Sequence, residues 1–224
     1  MTEKEIMSNR KKYPIICFEG PSGVGKTTMS ELLSATYNIV PEVNLLYERK
    51  GGESKYWYHE RQLDRYERCS NANRASILDG DIFQPIWYNW VCKYPQKFLS
   101  KEETHTFYRE KLLASQMRFP DLYIVFEAPE SELRKRKEND KLRRRRNFEK
   151  HLKIIEPLKT YYQFLLAETA LNLCFIEYTT IADTKEKVLA KIKDQKWEDK
   201  NDLAIFLQIE DWIEKSQKEH KNQL

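Results

Sequence analysis

Short apolar runs alternate with longer amphipathic segments along most of the chain. The apolar runs are rich in Ile, Val and aromatic residues and are bounded by charged or turn-forming residues, which is typical of buried strands. The longer segments repeat their apolar residues at helical spacing. The pattern predicts strands over residues 13–19, 38–43, 75–79, 121–127 and 171–178, and helices beginning near residue 29 and covering 56–70, 102–118, 148–168 and 182–193.

Strands that alternate with helices form parallel sheets, because each helix carries the chain back to the edge from which the next strand starts. We therefore expect an α/β fold, a three-layer sandwich in which helices cover both faces of a parallel five-stranded sheet. Ligands of such sheets bind at the carboxyl ends of the strands, so the functional site is expected there.

Composition divides the chain into three segments. Residues 1–12 form a polar N-terminal arm, residues 13–196 the α/β domain, and residues 197–224 a C-terminal helix. The last segment is amphipathic, and we expect it to pack on the domain, with a partner chain as the alternative. Its apolar residues at near-helical spacing are Leu203, Phe206, Leu207, Ile209 and Trp212.

The most informative segment follows the first predicted strand. Residues 20–28 read Gly-Pro-Ser-Gly-Val-Gly-Lys-Thr-Thr and match the phosphate-binding loop G-x-x-x-x-G-K-[ST]. Glycines let backbone N–H groups surround a phosphate, the lysine reaches the β- and γ-phosphates, and the threonine hydroxyl binds Mg²⁺. The motif predicts ATP and Mg²⁺ as cofactors, although nothing in it separates ATP from GTP. The expected phosphate-binding residues are Gly20, Ser22, Gly23, Val24, Gly25, Lys26, Thr27 and Thr28, with Lys26 also catalytic and Thr27 also a metal ligand.

Composition argues against several classes of function. The net charge of +4 over 224 residues is too small to indicate nucleic-acid binding on its own. The four cysteines are scattered without zinc-like spacing, which is typical of reduced thiols in a cytoplasmic protein. The polar N-terminus lacks a signal-peptide pattern, and no apolar run is long enough to span a bilayer, so we expect no association with membranes.

The charge is unevenly distributed. Residues 134–146 hold nine Lys or Arg against only Glu138 and Asp140. This basic stretch follows the strand predicted at 121–127, whereas the remainder of the chain is slightly acidic. A local concentration of positive charge indicates a local function, such as contact with a phosphate group.

The phosphate loop, the Phe18-Glu19-Gly20 segment that opens it and the position of the basic stretch together resemble the thymidylate kinase and deoxynucleoside kinase superfamily of P-loop kinases. The resemblance covers roughly residues 13–193. It implies a mobile lid at about residues 134–147 that closes over ATP and excludes water. The lid residues expected to act on the migrating phosphoryl group are Arg136, Arg143 and Arg145, with a solvated helix face or a nucleic-acid patch as the alternative.

Acidic residues follow two of the predicted strands. The resemblance implies that Glu42 takes the proton from the acceptor hydroxyl, although the order here is Pro41-Glu42 rather than the Glu-Pro of the related enzymes; a surface role is the alternative. Asp79 is implied to bind the acceptor or Mg²⁺. Gly80 stands where related kinases have an arginine, and Asp81 is either a helix cap or a catalytic residue.

Aromatic residues are frequent in the segments that form the acceptor pocket of the related kinases. Rings at these positions would stack on a flat base or on a sugar, although Trp87 and Trp90 fit the core of the domain equally well. Arg65 resembles an acceptor-side arginine, with a surface ion pair as the alternative. The expected substrate-binding set is Trp57, Arg65, Asp79, Phe83 and Tyr88.

These observations predict an ATP-dependent kinase, a phosphotransferase that acts on a small-molecule acceptor, foremost a nucleoside or deoxynucleoside. The alternatives are a nucleoside monophosphate kinase, a kinase of a non-nucleoside metabolite or antibiotic, and, in a different class, a regulatory ATPase module. The expected partner is the acceptor alone, without nucleic acid or membrane. Because related enzymes are often homodimers, the resemblance also allows a homodimer.

Overall fold

The computed structural model describes residues 13–92, 99–140 and 148–221. Within these residues five strands alternate with ten helices. The strands are β1 (Ile15–Glu19), β2 (Asn38–Val40), β3 (Ser76–Asp79), β4 (Leu122–Glu127) and β5 (Leu173–Glu177). The helices are α1 (Lys26–Leu32), α2 (Val43–Leu46), α3 (Trp57–Ser70), α4 (Gln84–Cys92), α5 (Lys101–Leu113), α6 (Glu130–Asn139), α7 (Phe148–Leu152), α8 (Ile155–Glu168), α9 (Ile181–Asp194) and α10 (Asp202–Lys221).

All five strands belong to one parallel sheet in the order β2-β3-β1-β4-β5. The strand β1 lies in the middle, where Phe18 is aligned with Asp79 on one side and with Ile124 on the other. The chain passes from β1 to the edge strand β2, returns through β3, and then crosses to β4 on the other side of β1, which places the loop after β1 at the switch point of the sheet. This topology confirms the five-stranded parallel sheet expected from the sequence.

The sheet separates two hydrophobic cores. Successive side chains of a strand point to opposite faces, and β1 sends Ile15 and Cys17 into one core and Ile16 and Phe18 into the other. Residues of α3, α4, α5, α8 and α10 complete the first core, and residues of α1, α6, α7 and α9 complete the second. Helices thus cover both faces, as the three-layer expectation requires.

The C-terminal helix α10 packs on the domain. Its residues Ile205, Phe206, Ile209 and Ile213 are buried in the first core. The ring of Trp212 stacks on Phe164 of α8 with 4.6 Å between the ring centroids. This contact confirms the expectation that the amphipathic tail packs on its own domain. Among the described helices, none is both long enough and apolar enough to cross a bilayer.

Several element boundaries differ from the sequence-based prediction; helix α5, for example, ends at Leu113 and not at residue 118. The strand β2 ends at Val40 and not at residue 43, because Pro41 has no N–H to donate to a neighbouring strand. The helix expected over 148–168 is divided into α7 and α8. Pro157 lies in the first turn of α8, where its missing N–H costs no helical hydrogen bond, whereas in one continuous helix it would interrupt the ladder.

Candidate functional site

A cleft of about 1200 Å³ opens at the carboxyl ends of the strands. Its walls come from the loop after β1, the segments after β2 and β3, helix α6 and the residues that follow β5. One end of the cleft contains the phosphate loop and the other contains aromatic and polar side chains of α3, α4 and α5. The cleft therefore has room for two small molecules end to end.

The phosphate loop turns sharply between β1 and α1. Gly25 is the N-cap of α1 and has a φ of 113°, a conformation that L side chains rarely adopt. A Cβ built on Gly25 would lie 2.6 Å from the ring of Tyr178, so a side chain has no space there. Both constraints require glycine at this position.

Lys26 is the first residue of α1 and is held over the loop. Its Nζ donates a hydrogen bond to the Gly20 carbonyl at 2.7 Å and lies 3.9 Å from Glu19 Oε1. Burial alone would lower the pKa of Lys26, but the carboxylates of Glu19, Glu42 and Asp79 outweigh it and raise the pKa above its ordinary value. The lysine is therefore a fixed positive charge at the phosphate-binding end of the cleft.

Thr27 and Asp79 meet where the phosphate loop faces the cleft. The Thr27 hydroxyl donates to Asp79 Oδ2 at 2.7 Å, while Asp79 Oδ1 is buried without a hydrogen-bond partner. Burial raises the pKa of Asp79, and the nearby Glu42 carboxylate raises it further. A buried, unsatisfied carboxylate oxygen beside a hydroxyl oxygen is the donor set that Mg²⁺ prefers.

The protein offers few metal ligands here, so a bound magnesium ion would also need oxygens from the substrate phosphates. No group of three or more His, Cys, Asp or Glu side chains gathers to hold a metal in the described part of the chain. Magnesium characteristically binds through one or two protein oxygens together with waters and substrate phosphates. Thr27 and Asp79 fit that requirement at the point where the phosphate loop faces the cleft.

Glu42 lines the same cleft. It follows Pro41 at the end of β2 and precedes helix α2 without capping it through its side chain. A Cβ built on Gly80 would lie 3.5 Å from Glu42 Cγ, so this side chain runs beside the end of β3. The structure thus brings Glu42 and Asp79 to adjacent strand ends, as expected from the sequence, and it does not place Glu42 on the outer surface.

Asp81 is directed away from the cleft. It is 1% exposed, and Oδ1 accepts hydrogen bonds from the Phe83 N–H at 3.0 Å and from the Tyr123 hydroxyl at 3.2 Å. Its Oδ2 accepts from the Tyr162 hydroxyl at 3.1 Å. Burial, together with the charge of Glu19, raises the pKa of Asp81 to about 7. The side chain therefore organises the turn before α4, and of the two roles left open by the sequence the structure favours the structural one.

Helix α6 brings Arg136 to the phosphate loop. Its Nη1 donates to the Val24 carbonyl at 2.7 Å, and its Nη2 donates to the Tyr178 carbonyl at 3.2 Å. The guanidinium also lies 4.7 Å from the centroid of the Tyr178 ring. Arg134, two residues earlier, pairs instead with Glu130 and Glu149 on the surface. The expected lid residues Arg143 and Arg145 lie outside the described residues.

The acceptor end of the cleft contains two of the predicted aromatic residues. Trp57 and Tyr88 both line it, and the Arg49 guanidinium lies 5.0 Å from the Trp57 ring centroid. Trp87 also borders the cleft, but it is 2% exposed and belongs to the first core, and the half-buried Trp90 packs against the same core on Trp212. Both tryptophans therefore occupy the core positions that the sequence left open as the alternative to the acceptor pocket.

The position of Phe83 differs from the one that the sequence predicted. It was expected to contact the acceptor, but its side chain is 0% exposed and its ring stacks on Phe119 with 4.0 Å between centroids. The turn formed by Asp81 directs Phe83 into the first core before α4 begins. The prediction of a substrate-binding role for Phe83 is wrong, because a ring buried on all sides has no face to offer a ligand.

Arg65 also differs from the expectation. It is 1% exposed, and its guanidinium donates to the carbonyls of Pro41, Asp79 and Gly80 and to the Gln62 side chain. Four of its five N–H groups are occupied by these bonds. It lines the floor of the cleft and is bound mainly by backbone carbonyls, so the surface ion-pair interpretation is wrong, whereas acceptor binding by Arg65 stays a prediction.

Several polar residues of the acceptor end were missed by the sequence analysis. The Tyr58 hydroxyl donates to Gln84 Oε1 at 2.7 Å, and His59 Nε2 lies 3.3 Å from Thr104 Oγ1. Burial lowers the pKa of His59 to about 4, so this imidazole is neutral near pH 7. These residues lie on three different helices, and no local motif marks them; their shared position on the cleft emerges only from the packing of α3, α4 and α5.

Solved structures of kinases share this fold at low sequence identity. The deoxyadenosine kinase from M. mycoides with bound dATP has a TM-score of 0.54 and 15% identity, over 80% of this chain and 100% of that one. The thymidylate kinase from Ehrlichia chaffeensis has a TM-score of 0.51 and 14% identity, over 80% of this chain and 98% of that one. The thymidylate kinase from Candida albicans has a TM-score of 0.50 and 15% identity, over 81% of this chain and 92% of that one. No protein-family model matches the sequence, and no curated protein sequence is significantly similar to it. The chain therefore has the fold of these P-loop kinases, which confirms the fold and the structural resemblance expected from the sequence.

Proposed function

We propose that this protein is an ATP-dependent kinase that transfers the γ-phosphoryl group of ATP to a hydroxyl of a nucleoside or deoxynucleoside. The observation that carries the proposal is one continuous cleft with Lys26, Thr27 and Asp79 at one end and Glu42, Trp57 and Tyr88 towards the other. Phosphate-binding and acceptor-activating groups thus face the same space. The fold shared with thymidylate and deoxyadenosine kinases supports the same activity by analogy.

The phosphate loop binds the donor. Backbone N–H groups of residues 20–28 surround the β-phosphate, and Lys26 exchanges its bond to the Gly20 carbonyl for the β- and γ-phosphate oxygens. Thr27 and Asp79 would hold Mg²⁺, which neutralises charge on the phosphate oxygens when it is bound. Because these groups are fixed by the fold, they need little reorganisation as charge develops during transfer.

The acceptor end positions and activates a hydroxyl. The hydroxyl oxygen forms a bond to the γ-phosphorus while the bond from that phosphorus to the β–γ bridging oxygen breaks, and ADP leaves. Glu42 receives the hydroxyl proton, since an alcohol attacks phosphorus more readily as its proton departs. Trp57 and Tyr88 provide aromatic faces at this end of the cleft for a flat base.

Helix α6 brings the first part of the basic stretch to the phosphate loop. Arg136 already lies at the phosphate loop through its bond to the Val24 carbonyl. We propose that Arg143 and Arg145 approach the transferred phosphoryl group when ATP is bound, because a loose anionic transition state is stabilised by positive charges that arrive with the substrate.

A nucleoside monophosphate kinase is the second candidate. Arg49 and Lys55 line the acceptor end of the cleft, where their positive charges would suit an acceptor phosphate. Both are already engaged, Arg49 with Glu53 and Lys55 with Glu103, so the nucleoside remains the first choice. The two candidates differ chemically, because a monophosphate acceptor is already ionised and does not need Glu42 as a base.

Glu42→Gln separates these two candidates. For a nucleoside acceptor we expect kcat to fall by about 100-fold or more, since loss of a general base costs 10²–10⁴ in rate. For a monophosphate acceptor the variant should transfer at nearly the wild-type rate. Glu48→Gln, an exposed position of the same segment, is the matched control and should leave both rates unchanged.

The direct test is a panel of acceptors with ATP radiolabelled in the γ-phosphate. The panel contains nucleosides, deoxynucleosides, their monophosphates and simple non-nucleoside alcohols, each assayed with and without Mg²⁺. The proposal requires Mg²⁺-dependent label on a nucleoside or deoxynucleoside. Label confined to a non-nucleoside alcohol would reassign the acceptor, and ATP turnover that responds only to a macromolecule would indicate a regulatory ATPase module.

A further inference from the structure

A single buried cation joins the ends of two strands at the floor of the cleft. Arg65 of helix α3 donates from Nε to the Pro41 carbonyl at 2.8 Å. Its Nη2 donates to the carbonyls of Asp79 and Gly80, each at 2.8 Å. Pro41 follows β2, Asp79 is the last residue of β3, and Gly80 follows it. One planar guanidinium therefore spans both strand ends.

The orientation of Arg65 is itself fixed. Its Nη1 donates to Gln62 Oε1 at 2.6 Å, from one turn earlier on the same helix. The side chain is 1% exposed and packs where the first core meets the cleft floor. No ion pair with a carboxylate is formed by Arg65 in the residues that the structure describes, and backbone carbonyls take the place of a counter-ion.

A charge is costly to bury, and an apolar side chain would fill the same volume without that cost. What an apolar side chain cannot provide is a rigid fork of donors that matches three carbonyls at once. The value of Arg65 therefore lies in the backbone geometry that it imposes on the ends of β2 and β3, more than in filling the space.

The two backbone segments that Arg65 holds carry the carboxylates of Glu42 and Asp79. Pro41 immediately precedes Glu42, and Asp79 carries the carboxylate that accepts a hydrogen bond from Thr27. Gly80, the third partner, is the residue whose Cβ would lie 3.5 Å from Glu42 Cγ. A shift of either strand end would change the separation of Glu42 and Asp79, and with it the position of the acceptor hydroxyl relative to the phosphate.

We propose that Arg65 is a positioning residue that sets the relative placement of Glu42 and Asp79 by joining the ends of β2 and β3. This inference rests on the proposed kinase function, in which the two carboxylates act on the acceptor and the donor. In this role Arg65 acts through the Pro41, Asp79 and Gly80 backbone and not through contact with either substrate.

The kinetic test compares Arg65→Met and Arg65→Lys with wild type. We expect Arg65→Met to lower kcat by about 100-fold, because a misplacement near 1 Å costs that much in rate. The Kd of ATP should stay within about threefold of wild type, since Arg65 does not contact the phosphate loop. Arg65→Lys keeps the charge but cannot span three carbonyls, so it should restore only part of the lost rate. Arg68→Met, an exposed position on the same helix, is the matched control and should leave kcat unchanged.

Two outcomes would overturn the proposal. One is a folded Arg65→Met variant that retains the wild-type kcat. The other is a loss of kcat with an equal loss of ATP affinity, because that result indicates general damage to the domain. Should Arg65→Met fail to fold, the same comparison is made with Arg65→Lys alone, and wild-type kcat in that variant refutes the positioning role.

A readout independent of activity separates this inference from the proposed function. Crystal structures of wild type and Arg65→Lys give the separation of the Glu42 and Asp79 carboxylates directly, and we expect it to change by about 1 Å. An unchanged separation contradicts the positioning role even when the enzyme is an active kinase. Conversely, wild-type protein that labels no acceptor refutes the kinase function. The measured separation of the Glu42 and Asp79 carboxylates still decides whether Arg65 is a positioning residue.

Discussion

The Thr27 hydroxyl donates a hydrogen bond to Asp79 Oδ2 at 2.7 Å, which joins the start of α1 to the end of β3. The two residues lie 52 positions apart in the chain. Their contact brings a hydroxyl from the phosphate loop to a buried carboxylate with one unsatisfied oxygen. The pair therefore offers the oxygen ligands for magnesium at the point where donor and acceptor would meet.

Thr27→Val should abolish most of the activity that depends on Mg²⁺. Valine has the shape of threonine but no hydroxyl, so it removes a metal ligand and leaves Asp79 Oδ2 without its donor. We expect the Mg²⁺ concentration for half-maximal activity to rise by about tenfold or more, while Thr27→Ser should behave as wild type. Measurement of activity across a magnesium titration checks this. Equal magnesium requirements for the valine and serine variants would show that the hydroxyl is not a ligand.

Gly25→Ala should disrupt ATP binding. An added Cβ combines a φ of 113° with a contact of 2.6 Å to the Tyr178 ring, so the loop or the ring must move. Gly51→Ala is the matched control, because its φ is 90° but its Cβ would meet nothing within 4 Å. Each substitution costs about 1–2 kcal/mol of backbone strain, but only Gly25→Ala should weaken ATP binding, by about tenfold or more. Calorimetric titration with ATP measures the affinity of both variants. Equal affinities would show that the close approach of Tyr178 to Gly25 does not matter for ATP binding.

The buried carboxyl of Asp81 should make the fold less stable as pH rises. Its pKa is raised to about 7 in the native state and is near 3.8 when the side chain is free in solution. Between these values the native protein holds a proton that the unfolded chain has released, so Asp81 lowers the free energy of unfolding as pH rises, by about 1 kcal/mol per pH unit. The buried His59, whose pKa is lowered to about 4, contributes in the opposite direction below about pH 6.5. Urea unfolding of wild type and Asp81→Asn from pH 4.5 to 7.5 gives the Asp81 contribution as the difference between the two slopes, and equal slopes would show that Asp81 does not titrate in this range.

Phe83 and Trp57 should respond oppositely to substitution by leucine. Phe83 is fully buried against Phe119, so Phe83→Leu is expected to lower the free energy of unfolding by about 1–3 kcal/mol with little effect on the acceptor KM. Trp57 is half-buried on the cleft, so Trp57→Leu should raise the acceptor KM with a smaller effect on stability. Denaturant unfolding and steady-state kinetics on both variants check this. A raised KM in Phe83→Leu alone would restore the substrate-binding role that the structure argues against.

The phosphate loop and the sheet could be predicted from sequence because their signals are local. The residues from Gly20 to Thr28 form a contiguous motif, and brief apolar runs mark the buried strands. The positions of Glu42 and Asp79 followed from the strand ends, since parallel strands bring their carboxyl ends to one edge of the sheet. Local pattern and tertiary structure agree in these places.

Other parts of the site depend on contacts that no local pattern records. The role of Arg65 depends on carbonyls that are 14 to 24 positions away, and backbone carbonyls leave no trace in residue identity. Phe83 was misplaced because its direction follows from the Asp81 turn and from the packing of Phe119, which the spacing of aromatic residues does not show. Arg143 and Arg145 stay predictions from the resemblance.

The central activity proposed for this protein is transfer of the γ-phosphoryl group from ATP to a nucleoside. The most direct measurement of it is the amount of label that appears in the nucleoside monophosphate. Wild type and Lys26→Met are compared with radiolabelled ATP and Mg²⁺, and Lys191→Met, an exposed lysine on α9, is the control. We predict labelled nucleoside monophosphate with wild type and the control, and about 100-fold less with Lys26→Met. Wild-type protein that binds ATP but labels none of the nucleosides or deoxynucleosides would contradict the account.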